Sequence, residues 1–139
     1  MAPWNPWRAL RATDIELRFA ALEGMRGLWE RDGEHDIIWL DVALDRQTRR
    51  EVMAHELVHA ERGVGWPAAT PRTMQLEEER VWRIALFRLA PPADVERFAA
   101  RRATVGPVTV ADLAEEFDLS PEAAARLAAL HAARVGRPP

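Results

Sequence analysis

His55-Glu56-Leu57-Val58-His59 puts two imidazoles and one carboxylate into a strongly helical stretch. Residues four apart on an α-helix are separated by about 40° around its axis, so both rings leave the same face. That geometry suits one Zn²⁺ held by two imidazole nitrogens. Glu56 then stands close enough to take a proton from a water on the metal. The chain must therefore fold so that this helix face is both walled in and reachable by water. The flanks agree with a helix. Asp45 or Thr48 is its N-cap, and Thr48-x-x-Glu51 has capping-box spacing. Gly63 is a natural residue to follow the last turn, and Pro67 prevents continuation. Val52, Met53, Leu57 and Val58 make the helix half buried by expectation.

A catalytic zinc normally has three protein ligands and one open position. The chain has no cysteine, so the third ligand must be His or a carboxylate. No third His follows within a few residues of His59, and His35 and His131 stand far away in sequence. The next helix carries Glu77-Glu78-Glu79. Glu78 shares a face with Val81, Trp82, Ala85 and Leu89, the apolar stripe that should meet the core. Glu77 and Glu79 lie about 100° to either side and stay open as alternatives.

Around this centre the pattern predicts an α+β fold. Residues 1–13 read as an irregular arm whose Trp residues pack on the domain. Ile15, Leu17 and Phe19 alternate with Glu16 and Arg18, the period of a half-buried strand. Further strands are expected at 25–31 and 36–41, with Asp32-Gly33 as the turn between them. The expectation is a small antiparallel sheet packed on the motif helix, followed by a mostly helical C-terminal half. A helix capped by Thr70 or Thr73 runs to about Ala90 and is stopped by Pro91-Pro92. Shorter helices follow at 94–102, from Thr109 to Phe117, and from Ser120-Pro121 to about Ala133. The chain reads as a single zincin-like domain over 1–139: arm and small sheet at 1–45, zinc-binding helices at 46–91, C-terminal helices at 92–134.

These residues carry a family resemblance. Ala54-His55-Glu56-Leu57-Val58-His59, then Glu78-x-x-Val81, then Leu89-x-Pro91, resembles the ImmA/IrrE family of small zinc metallopeptidases. Leu113 through Ala123, ending in Arg126-Leu127, is similar to that family's C-terminal helices. The resemblance implies that the Glu on the helix after the motif is the third ligand, and counting back from Pro91 places it at Glu78. It implies a metallo-endopeptidase in which His55, His59 and Glu78 hold zinc and Glu56 is the catalytic acid–base. It also implies a protein substrate, such as a helix-turn-helix repressor cleaved in response to stress or prophage induction. Two departures stand out: Trp82 occupies a place where the family often has Asn or Asp, and the chain contains no Tyr.

Those departures keep a second function open, a catalytically weak zinc-containing regulatory protein that acts by protein–protein contact. Direct DNA binding is disfavoured. The net charge is −3, and in the C-terminal helices Asp112, Glu115, Glu116, Asp118 and Glu122 outnumber the arginines. No apolar run is long enough to span a membrane, and the N-terminus has no apolar leader segment, so the expected location is cytoplasmic.

Overall fold

A computed structural model describes residues 3–64 and 70–136. The order of elements is α1 (Pro6–Arg11), β1 (Glu16–Ala20), β2 (Gly27–Asp32), β3 (His35–Asp41), α2 (Arg46–Arg62), α3 (Pro71–Leu89), α4 (Pro92–Arg102), α5 (Val110–Phe117) and α6 (Pro121–Val135). This is the expected α+β arrangement of a small sheet followed by a mostly helical half. No helix among the described residues is long and apolar enough to cross a membrane.

The most apolar strand lies in the middle of the sheet. β3 carries the fully buried Ile38 and Leu40 and pairs on both sides, giving the order β1-β3-β2. β2 and β3 form the expected antiparallel hairpin, from Gly27↔Leu40 to Asp32↔His35. Gly33 turns it at φ 64°, a left-handed conformation that glycine adopts without steric cost. β1 departs from the expected antiparallel sheet. It runs parallel to β3, from Glu16↔Ile37 to Ala20↔Asp41. Alternation along β1 tells which face is buried but carries no information on strand direction. Once the tight hairpin occupies one edge of β3, β1 takes the other, and the 21–26 connection sets its direction. Phe19, at the end of β1, is 48% exposed and lies under the Arg49 guanidinium, 5.7 Å from its ring centre.

The N-terminal arm is also more ordered than its prolines imply. Asn5 accepts hydrogen bonds from the amides of Trp7 and Arg8, and Pro6 occupies the first turn of α1. Pro at that position is preorganised for a helix and sacrifices no internal hydrogen bond. Leu10 then joins Ile38, Leu40, Val52, Met53 and Leu57 in the sheet-side core, with Trp4 and Trp7 packed against it.

The central part of α2 is more deeply buried than the expected half-buried helix. Every residue from Glu51 to Ala60 is buried. Val52, Met53 and Leu57 face the sheet, while Ala54 and Val58 face a second core built with α3, α4, α5 and α6. Asp45 is the N-cap, accepting from the Thr48 amide at 2.8 Å, and Gly63 closes the helix in the left-handed conformation at φ 64°. Glu51 makes no capping box. It accepts from the Ser120 amide and hydroxyl, both at 2.7 Å, and so fastens the start of α6 to the middle of α2. Burial raises the Glu51 pKa, against the lowering effect of these hydrogen bonds.

Beside that link, Asp118 ends α5 in the left-handed conformation at φ 53°. It accepts two hydrogen bonds from Arg46, each 2.7 Å, and one from Gln47 at 2.9 Å. The Arg46 and Gln47 bonds outweigh its burial and hold its pKa well below the usual carboxylate range. A depressed folded pKa contributes stability that is complete above the ordinary Asp value of about 4 and is lost progressively as pH falls from there through the lower folded value. Asn tolerates the same backbone conformation, so Asp118→Asn removes mainly the charge. The pair is partly exposed, which limits the expected loss to about 1 kcal/mol at neutral pH. The gap from wild type should narrow at about pH 3. Urea unfolding at both pH values measures it, and an equal gap at both would show that charge is not the cause.

Candidate metal centre

The helical spacing of the motif works as elementary geometry requires. His55 and His59 project from one face of α2, their ring centres 4.6 Å apart and nearly perpendicular. α3 crosses this face and brings Glu78 to both. The Glu78 carboxylate lies 2.9 Å from His55 Nε2 and 2.6 Å from His59 Nε2. One donor atom from each residue lies within 4.8 Å of the others, so the three could hold a metal ion. Two imidazoles and one carboxylate, with no thiolate in the chain, form a donor set suited to a catalytic zinc with one open position.

The neighbours of Glu78 take other partners. Glu77 is buried more deeply than Glu78. Its carboxylate is claimed by Arg62 at the end of α2, with Arg80 3.4 Å away. Hydrogen bonding to Arg62 outweighs burial and lowers its pKa. Glu79 is exposed and accepts from Gln75 at 3.3 Å. All three glutamates lie beyond the first turn of α3, whose N-cap is Thr70, so attraction to the helix terminus does not account for them.

The histidines and Glu56 are buried, whereas the Glu78 side chain remains 43% exposed. Glu78 thus reaches inward from the rim of a cleft. Burial disfavours charge on His55, but Glu56 lies 3.1 Å from Nδ1 and Glu78 2.9 Å from Nε2. Together the two carboxylates overcome desolvation and raise the His55 pKa to about 9. Glu78 is likewise opposed by burial, yet the two histidines hold its pKa far below the ordinary range. The three side chains thus form a compact hydrogen-bonded group whose ligand atoms a divalent cation could bridge in place of protons.

The cleft is about 320 Å³ and its lining includes His55, Glu56, His59 and Glu78. Trp82 forms one wall. Met25, Arg26, Gly27, Leu28 and Trp29 form the opposite wall, contributed by β2 and the turn before it. This wall is a site element that motif spacing does not indicate. Its clue is Gly27 at the start of an apolar strand, since a strand glycine often marks a close approach. A Cβ built on Gly27 would lie 2.5 Å from Val52 Cγ1 and 3.1 Å from Glu56 Cγ. The bare backbone lets β2 close directly onto α2 beside Glu56.

The Peptidase_M78 family model, described as the IrrE N-terminal-like domain, matches residues 10–128. The match includes the sheet, both helices of the centre and most of α6. No curated protein matches the chain.

Gly27→Ala is expected to push β2 away from α2. Overpacking of this kind costs about 1–3 kcal/mol, and Glu56 should shift with the strand. Thermal unfolding checks the first effect and a structure of the variant the second. Wild-type stability with Glu56 unmoved would mean that the close approach is not needed.

Proposed function

This chain belongs to the Peptidase_M78 family of IrrE N-terminal-like domains, and from that premise we propose that it is a zinc-dependent metallo-endopeptidase acting on a specific protein. The observation that carries this reading is the convergence of His55, His59 and Glu78 within one cleft. His55, His59 and Glu78 would hold the zinc, the two histidines from the buried side and Glu78 from the rim, and zinc bound there would supply a Lewis acid for the scissile carbonyl and for a water. Glu56 takes the proton of the attacking water and returns it to the departing amine. Its placement supports that role, because it lies in the same cleft beside His55.

The sheet order supports an extended substrate. β2 is hydrogen-bonded to β3 along one side only and lines the cleft with Gly27, Leu28 and Trp29. A peptide segment can add beside this edge through backbone hydrogen bonds. Such bonds select little by sequence, so specificity rests on a partner that exposes its scissile segment. By family likeness that partner is a helix-turn-helix repressor. Absence of any Tyr to assist the oxyanion favours the second reading, a zinc-containing regulator that works by contact.

The dialysed protein should retain one equivalent of zinc. Glu78→Ala should weaken zinc binding by about 100-fold or more, since it removes a ligand from a three-ligand site. Elemental analysis and chelator competition measure both, and tight zinc binding in Glu78→Ala would displace Glu78 from the ligand set.

Glu56→Gln should keep zinc and fold yet lower cleavage of the partner by at least about 10²-fold. Undiminished cleavage by this variant would remove Glu56 from its assigned role. A zinc-loaded wild type that cleaves no helix-turn-helix regulator encoded nearby, but binds one, would establish the contact-based reading.

A further inference from the structure

His55 is gripped from three directions. Glu56 meets Nδ1 at 3.1 Å and Glu78 meets Nε2 at 2.9 Å. The third contact is Trp82, whose ring centre lies 4.3 Å from that of His55 with the planes inclined by 37°. Glu78 and Trp82 are four residues apart on α3, hence on one helix face. A single turn of α3 therefore brings both the carboxylate and the aromatic wall to the same imidazole. Trp82 is itself held from α6: the Arg126 guanidinium lies 4.7 Å from the indole centre. Arg126 is 4.0 Å from Glu122, which accepts from Arg26 on the facing cleft wall at 3.0 Å.

A metal-binding histidine usually has its second ring nitrogen anchored by an acceptor that fixes the ring. Here that acceptor is Glu56, the residue assigned to carry a proton to and from the reacting groups. Only Oε1 of Glu56 meets the ring, so rotation of the carboxylate during proton transfer weakens this anchor. The Trp82 face does not compete for either nitrogen and takes no proton, so it holds the ring plane wherever Glu56 points. It also suits a metallated imidazole, which is electron-poor and attracted to the indole π-face.

We propose that Trp82 is a positioning residue for His55, keeping the ring aimed at the metal independently of Glu56, and that Arg126 keeps the indole in place. This inference rests on the metal-centre reading of His55, His59 and Glu78. The test follows release of Zn²⁺ from the loaded full-length chain into excess chromogenic chelator, alongside thermal unfolding of the metal-free proteins. Trp82→Leu, which fills space without a flat ring, should release zinc about 10–100-fold faster, the usual range for loss of an outer support. Trp82→Phe restores a flat face and should stay within about threefold of wild type. Arg126→Ala alters an exposed side chain and should speed release by about threefold without lowering the melting temperature.

The decisive arm combines sites. Glu56→Ala alone should change release by less than about threefold, but in the Trp82→Leu background it should add about tenfold. Zinc release from Trp82→Leu as slow as from wild type would overturn the proposal. So would equal losses in Trp82→Phe and Trp82→Leu, or a tenfold effect of Glu56→Ala alone. Failure of the wild type to bind Zn²⁺ would instead overturn the metal centre itself, an outcome that the variants cannot mimic.

Discussion

Burial of ionisable groups on α2 governs how the rest of the molecule is arranged. Glu51, His55, Glu56 and His59 are all buried along little more than two turns of this helix. An unpaired charge in such a position costs several kcal/mol, so whatever covers the helix must bring the matching group. α6 brings the Ser120 amide and hydroxyl to Glu51. α3 brings Glu78 to both histidines. Glu56 is met by His55, and β2 closes over it with a residue that has no side chain. The apolar residues between these positions drive burial, and the polar ones decide which surface may lie where.

The rotation of α3 about its axis is set in the same way. Adjacent carboxylates on this helix go to opposite tasks: Glu77 to the arginine at the end of α2, Glu78 to the histidines. Val81, Ala85 and Leu89 then fall into the core that also takes Ala54 and Val58. Trp82 follows from this rotation, since it lies one turn beyond Glu78 on the same side. The resulting cleft is lined by α2, α3 and the edge strand β2, and it sets His55, Glu56, His59 and Glu78 among Leu28, Trp29, Val52 and Trp82.

Several local features followed from rules that need only neighbouring residues. The capping of α5 by Thr109 and Asp112, the Ser120-Pro121 start of α6 and the Gly63 ending of α2 all use contacts a few residues apart. The expectation of an irregular arm over residues 1–13 does not hold, because Asn5 caps α1 and Pro6 occupies its first turn. Local rules also failed at Glu51, whose spacing from Thr48 fits a capping box but whose carboxylate goes to a residue 69 positions away. A local rule holds only while no distant group offers a better partner.

The sequence by itself determined that His55 and His59 would share a helix face, because residues four apart on a 3.6-residue repeat lie only about 40° apart around the axis. It also determined that any metal would meet only nitrogen and oxygen donors, because the chain has no thiol. The helical stripe pointed to Glu78 without excluding its neighbours. The tertiary structure brings Glu78 to both histidines, whereas Glu77 pairs with Arg62. It alone decided the parallel pairing of β1 with β3, the β2 wall beside Glu56 and the contact of Trp82 with His55. Each of these depends on which surfaces meet across long stretches of chain, and periodicity along one element carries no record of what packs against it.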